Sequence, residues 1–166
     1  LCDALHPYKV EVQGSVGNNT VEVLADALEW ESLDPSIATA SLGLGPKDLI
    51  NDLKSFGFFF EDMVVRDLRV YAEALDGKLY HYRDSTGLEC DTVLHRRNGS
   101  YALMEVKLGG KDLIDEGAAN MLKLSKSIDT DRMPAPSFMA VIIGVGQYAY
   151  QREDGVYVIP IGCLKD

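Results

Sequence analysis

Asp91, Glu105 and Lys107 carry the chemistry that can be read in this chain. Asp91 lies in Gly-Leu-Glu-Cys-Asp-Thr-Val-Leu (87–94), and Glu105-x-Lys107 in Ala-Leu-Met-Glu-Val-Lys-Leu (102–108). Strand side chains alternate, so Glu105 and Lys107 share one face of an apolar strand. Burying both charges there is costly unless they pair or bind something. Two carboxylates at close range bind Mg²⁺ or Mn²⁺ through hard oxygen ligands. Such an ion polarises a phosphodiester and lowers the pKa of a bound water. A lysine two residues on orients that water or neutralises developing charge. The same layout also reads as a buried ion pair, and both readings stay open at this stage.

A further acid, Glu61, has only apolar helical neighbours: Phe58, Val64, Val65 and Leu68. On that face it is a partner for a buried cation or a ligand. It would complete a metal's coordination or hold the lysine.

Register decides whether Asp91 joins this group. A two-residue turn at Asn98-Gly99 would set Asp91 opposite Val106, on the wrong face. A three-residue loop (98–100) pairs Arg97 with Tyr101, and hence Asp91 with Lys107. The expectation is an odd-length loop or a bulge, because only that lets the charges compensate one another.

The elements that must position these residues follow from local signals. Residues 8–12 alternate weakly like a strand, 14–19 read as a loop, and 20–31 have helix-like spacing. Asp34-Pro35-Ser36 starts a short helix, and Pro46-Lys47-Asp48 opens another through Leu53. The clearest helix is Phe56 to Leu75, stopped by Asp76-Gly77. Strands at 78–83, 88–96 and 101–108 make an antiparallel meander. An amphipathic helix follows at 111–128, then a strand at 137–143 whose unbroken apolar run suits burial on both faces. Residues 147–151 and 155–161 form a last hairpin. This order predicts an α/β or α+β fold, a mixed sheet with flanking helices and an N-terminal helical extension.

With 166 residues, 46% of them hydrophobic, the chain suits one domain with an appendage. No apolar run approaches the roughly 18 residues of a membrane helix, and Leu1-Cys2-Asp3 is not a secretory signal. The missing initial Met reads as a piece of a longer protein. Three cysteines without CxxC or Cys/His zinc spacing read as free thiols of a reducing cytoplasm. The net charge of −10 counts against gripping a nucleic-acid backbone. No Gly-x-x-x-x-Gly-Lys-Ser/Thr occurs, so ATP could enter only through a P-loop domain outside this chain. His6, His81 and His95 are far apart in sequence. Tyr80, Tyr82, Tyr148 and Tyr150 read as a half-exposed sheet face able to stack bases.

Gly57-Phe-Phe-Phe-Glu61, Tyr82-Arg83-Asp84, Gly87-x-Glu89-x-Asp91, Glu105-Val-Lys107 and Gly155-Val-Tyr-Val-Ile-Pro160 occur in that order. Together they resemble the C-terminal domain of unknown function that follows a P-loop, AAA+-type ATPase in many bacterial and archaeal proteins. Asp34-Pro35-Ser36 is similar to the motif that opens that domain. The resemblance covers roughly residues 34–164 and leaves 1–33 unassigned. It implies a restriction-endonuclease-like, PD-(D/E)xK core. Glu61 then matches the helix acid, Asp91 the second-strand acid and Glu105-x-Lys107 the signature pair. It also implies an ATPase domain of the same protein as partner. The helix at 111–128 departs from several active nuclease families in lacking a Gln, with Lys111, Lys123 and Lys126 present instead.

Two expectations result. One is a cytoplasmic, Mg- or Mn-dependent nuclease-like domain with Asp91 and Glu105 on the metal, Lys107 catalytic and Glu61 supporting. The other is an inactive interaction or regulatory module. In it Lys107 pairs with Glu61 and Asp91, and a cation such as Arg66 or Arg83 holds Glu105.

Overall fold

The computed structural model describes residues 35–164, and the backbone of 10–16 and 19–25. His6 therefore lies outside the described residues. The elements are β1 (Val10–Val16), β2 (Asn19–Ala25), α1 (Pro35–Ser41), α2 (Pro46–Asn51), α3 (Leu53–Ala74), β3 (Gly77–Arg83), β4 (Glu89–Arg96), β5 (Tyr101–Lys107), α4 (Lys111–Ser127), β6 (Phe138–Ile143), β7 (Tyr150–Gln151) and β8 (Tyr157–Pro160). Among the described residues no helix is long and apolar enough to cross a membrane.

The helix expected over 20–31 is corrected within its described part. Asn19–Ala25 is a strand, antiparallel to β1. The physical reason is local. Thr20, Val21 and Val23 are β-branched and favour extended backbone, which outweighs a helical spacing spread over only a few positions.

Helix α3 starts where Asp52 accepts hydrogen bonds from the Ser55 N–H at 3.2 Å and the Ser55 hydroxyl at 2.6 Å. Its buried residues are Phe60, Val64, Leu68 and Ala72. They recur every four positions, a stripe that can only face the sheet. Asp76 ends the helix region with φ +54. A Cβ on Gly77 would then meet the His95 carbonyl at 3.0 Å, so a glycine lets β3 begin against β4.

The main sheet is six-stranded and mixed, in the order β3-β4-β5-β6-β8-β7. β3, β4 and β5 form the expected antiparallel meander. β5 and β6 are parallel and need a crossover, which α4 supplies. β6 also runs parallel to β8 on its other side. Ala140 to Ile143 are buried, as the unbroken apolar run requires.

Helices cover both faces. On one face α3 packs Phe60, Val64 and Leu68 against Ala102, Met104, Val106 and Ile142. On the other, α4 packs Ile114, Ala118, Met121 and Leu124 against Leu103, Val141 and Val158. Each of these large side chains contributes about 1.5–3 kcal/mol on full burial. Arg152 ties α4 to the last hairpin, bridging Asp115 at 2.5 Å and Asp154 at 2.9 Å.

Candidate functional site

The site forms where β4 and β5 part at one end of the sheet. Their pairing runs from His95↔Tyr101 to Thr92↔Met104. The turn is closed by the Arg96 N–H donating to the Ser100 carbonyl, so the loop is Arg97-Asn98-Gly99. Gly99 takes φ +85 there. The loop is odd-length, as expected, but lies one residue earlier than 98–100. The register therefore sets Asp91 in line with Glu105 rather than Lys107, and the face is preserved.

A bulge adds to this. β3 pairs Tyr80 with Val93 but Tyr82 with Cys90, so Asp91 and Thr92 together oppose His81. Bulges of this kind re-aim a side chain and end local pairing. Asp91 is turned across the gap, and its Oδ2 accepts a hydrogen bond from the Val106 N–H at 2.7 Å. A carboxylate replaces the next ladder carbonyl, and β5 continues without a backbone partner from β4.

Alternation on β5 does the rest. Val106 faces α3, while Glu105 and Lys107 lie beneath α4, where a Cβ on Gly117 would meet both. Glu105 is 2% exposed. The Lys107 Nζ lies 2.8 Å from Glu105 Oε2 and 3.4 Å from Asp91 Oδ2. Gly109 and Gly110 follow with φ +137 and +91, a turn that leads directly into α4. The two charges of Glu105-x-Lys107 thus pair with each other, although same-strand i, i+2 neighbours need not.

The electrostatics follow from one ammonium among several acids. Burial, and next the charge of Asp91, raise the Glu105 carboxyl above its ordinary range despite the Lys107 contact. Lys107 is held strongly protonated: Asp91 and Glu105 outweigh the burial that opposes them. Glu61 is pushed up to about 7, first by burial and then by Asp91, with Lys107 pulling the other way.

Glu61 lines a pocket of about 240 Å³ with Lys54, Phe58, Val106, Lys107 and Leu113 among its walls. It reaches the group through field rather than through contact. The expected direct Lys107–Glu61 pair is not among the salt bridges, and Glu105 takes Lys107 as its cation instead of Arg66 or Arg83. Arg66 pairs with Asp67 at 2.9 Å. His81 contacts Glu89 at 3.2 Å, and His95 packs edge-on against Tyr80. The four expected site residues are thus at one end of the sheet: three in contact and Glu61 beside them.

The metal expectation can be tested on the donors. Both expected ligands, Asp91 and Glu105, are engaged by Lys107. Among the described residues no three His, Cys, Asp or Glu side chains are placed to hold a metal ion. As arranged, Lys107 takes both carboxylates, and a Mg²⁺ or Mn²⁺ held by Asp91 and Glu105 would have to share them with the ammonium.

Gly117 was not anticipated. It lies mid-helix in α4 and is buried. The only signal was the glycine itself, which costs about 1 kcal/mol relative to alanine inside a helical pattern.

A family model described as Domain of unknown function (DUF4143) matches residues 56–164, which span all four site residues. No curated protein and no solved structure is significantly similar to the chain.

Proposed function

The chain belongs to the DUF4143 family, and from that premise we propose that it is an interaction or regulatory module of a P-loop ATPase. In this reading the restriction-endonuclease-like core keeps its charged centre as an internal ion-pair network. The observation that carries it is the placement of Lys107, 2.8 Å from one carboxylate and 3.4 Å from the other. The lysine puts its ammonium where a metal would otherwise sit, offsetting part of the carboxylate charge. The net charge of −10 supports it too, since a phosphate backbone would be repelled. The ATPase partner is supported by the ordered motifs from Gly57 to Pro160. Co-purification of that domain with this one, expressed separately, is the expected outcome.

A second reading is metal-dependent phosphodiester cleavage through Asp91, Glu105 and Lys107. The observation favouring it is that two carboxylates flank one ammonium beside an open pocket. Mg²⁺ commonly takes only one or two carboxylates and fills its shell with water and phosphate oxygens. Mn²⁺ titration followed by water-proton relaxation separates the two. It should be run with and without a short oligonucleotide, and with Asp91→Asn as control. The network reading expects no saturable binding in either condition. Saturable binding that Asp91→Asn abolishes would replace it with the nuclease reading.

A further inference from the structure

We propose that Gly117 is a positioning residue for Lys107: lacking a side chain, it lets the α4 backbone close over the Glu105–Lys107 pair and keep the ammonium on its carboxylate. The inference rests on the ion-pair reading above and assigns that network its cover.

A Cβ at position 117 would lie 3.2 Å from the Glu105 Cβ, 3.5 Å from the Lys107 Cε and 3.5 Å from the Val141 Cγ2. Carbon atoms pack best at roughly 3.5–4.0 Å, so the first contact is too close. The Glu105 Cβ is fixed to an interior strand and cannot swing away. The Lys107 stem is at ordinary contact distance and need not move. A methyl group at 117 therefore shifts α4 outward by a few tenths of an ångström, which thins its cover over the lysine and gives water access to the 2.8 Å contact with Glu105.

Helix propensity gives the opposite expectation. A glycine inside a helix is unfavourable relative to alanine. The rest of the α4 stripe is Ile114, Ala118, Met121 and Leu124, and each carries a side chain into the core. The one glycine of the stripe occurs where the helix crosses the charged pair. A glycine of general packing would show no link to the lysine.

The test is brief amine acetylation of the whole chain, resolved lysine by lysine by mass spectrometry, on the natural protein and on Gly117→Ala. An ion-paired, half-buried amine reacts slowly, and Lys111, exposed at the start of α4, serves as internal reference. The natural protein should label Lys107 several-fold more slowly than Lys111. Gly117→Ala should bring Lys107 close to the Lys111 rate and lower the melting temperature, although Gly→Ala within a helix ordinarily raises it. Slow labelling of Lys107 in both proteins overturns the role of Gly117 and leaves the ion pair standing. Equal rates for Lys107 and Lys111 in the natural protein overturn the ion-pair reading itself, and this inference with it. If Gly117→Ala does not fold, the same labelling in a Val141→Ala background decides the point, because removing Cγ2 gives α4 room to shift.

Discussion

At the scale of single residues, the centre is short of positive charge. One ammonium faces Asp91 and Glu105 in contact and Glu61 across a pocket. Glu61 is pushed up to about 7 from 4.5, and Glu105 is raised in the same direction, both primarily by burial. The sign of the pH dependence follows. Between about 4.5 and 7 the folded state holds protons that the unfolded chain has released. Stability from these groups is thus fully present below that window and lost as pH rises through it. Urea midpoints should therefore fall between about pH 5 and about pH 8, against the usual trend for paired carboxylates. Glu61→Gln should flatten that slope and be more stable than the natural protein at the upper end. An unchanged slope in Glu61→Gln would show that Glu61 is not one of the groups responsible. The residue types of this centre were legible because charges on apolar strands demand compensation. Their pairing was not. Lys107 could have reached Glu61, and only packing shows that it turns beneath α4.

At the scale of elements, two devices bring Asp91 to the centre: an odd-length loop and a bulge. The parity of the loop was legible from charge compensation alone. Its placement was not, because Ser100 can either lie in the loop or close it, and the local sequence fits both. A bulge was expected only as an alternative within the β4–β5 hairpin, whose register is unbroken; the bulge present lies between β3 and β4. It depends on how β3 pairs with β4, which no spacing within β4 reveals. Gly99 holds the loop with φ +85. Gly99→Ala should therefore cost about 1 kcal/mol, as expected for a non-glycine residue in left-handed backbone. The loss should appear in urea unfolding with little change in Lys107 labelling, since the loop is at the far end of the meander. A loss several times larger would mean that the loop, more than the bulge, sets the register. The chain order of the elements and the β3–β5 meander were legible from periodicity and turn residues; the parallel pairing of β6 with β5 and β8, and the position of β8 between β6 and β7, were not. The segment over 19–25 was misread as helix because β-branched residues and helical spacing compete there at similar strength.

At the scale of the molecule, acidity restricts the choice of partners. The net charge is −10, and the candidate site contributes acids beyond its one lysine. Binding to duplex DNA releases counterions only where cations meet phosphates. Fluorescence anisotropy with a duplex at roughly 150 mM salt should show no saturable binding, and micromolar affinity there would be inconsistent with this picture. The exposed apolar side chains of α3 that line the pocket, Leu53 and Phe58, suit a protein partner better. The central claim nonetheless concerns the network, and Lys107→Ala tests it most directly. Removing one partner of a buried pair typically costs about 3–5 kcal/mol. The Lys107 side chain keeps 21% of its surface in water, so the lower end, about 3 kcal/mol, is expected. It should be measured by urea unfolding near pH 8, above the value to which burial pushes Glu61 in the natural protein. A loss of about that size, with an unchanged denaturant slope, is the result this account predicts. A variant as stable as the natural protein, or more so, would contradict it and identify the centre as a site that gives up stability for function.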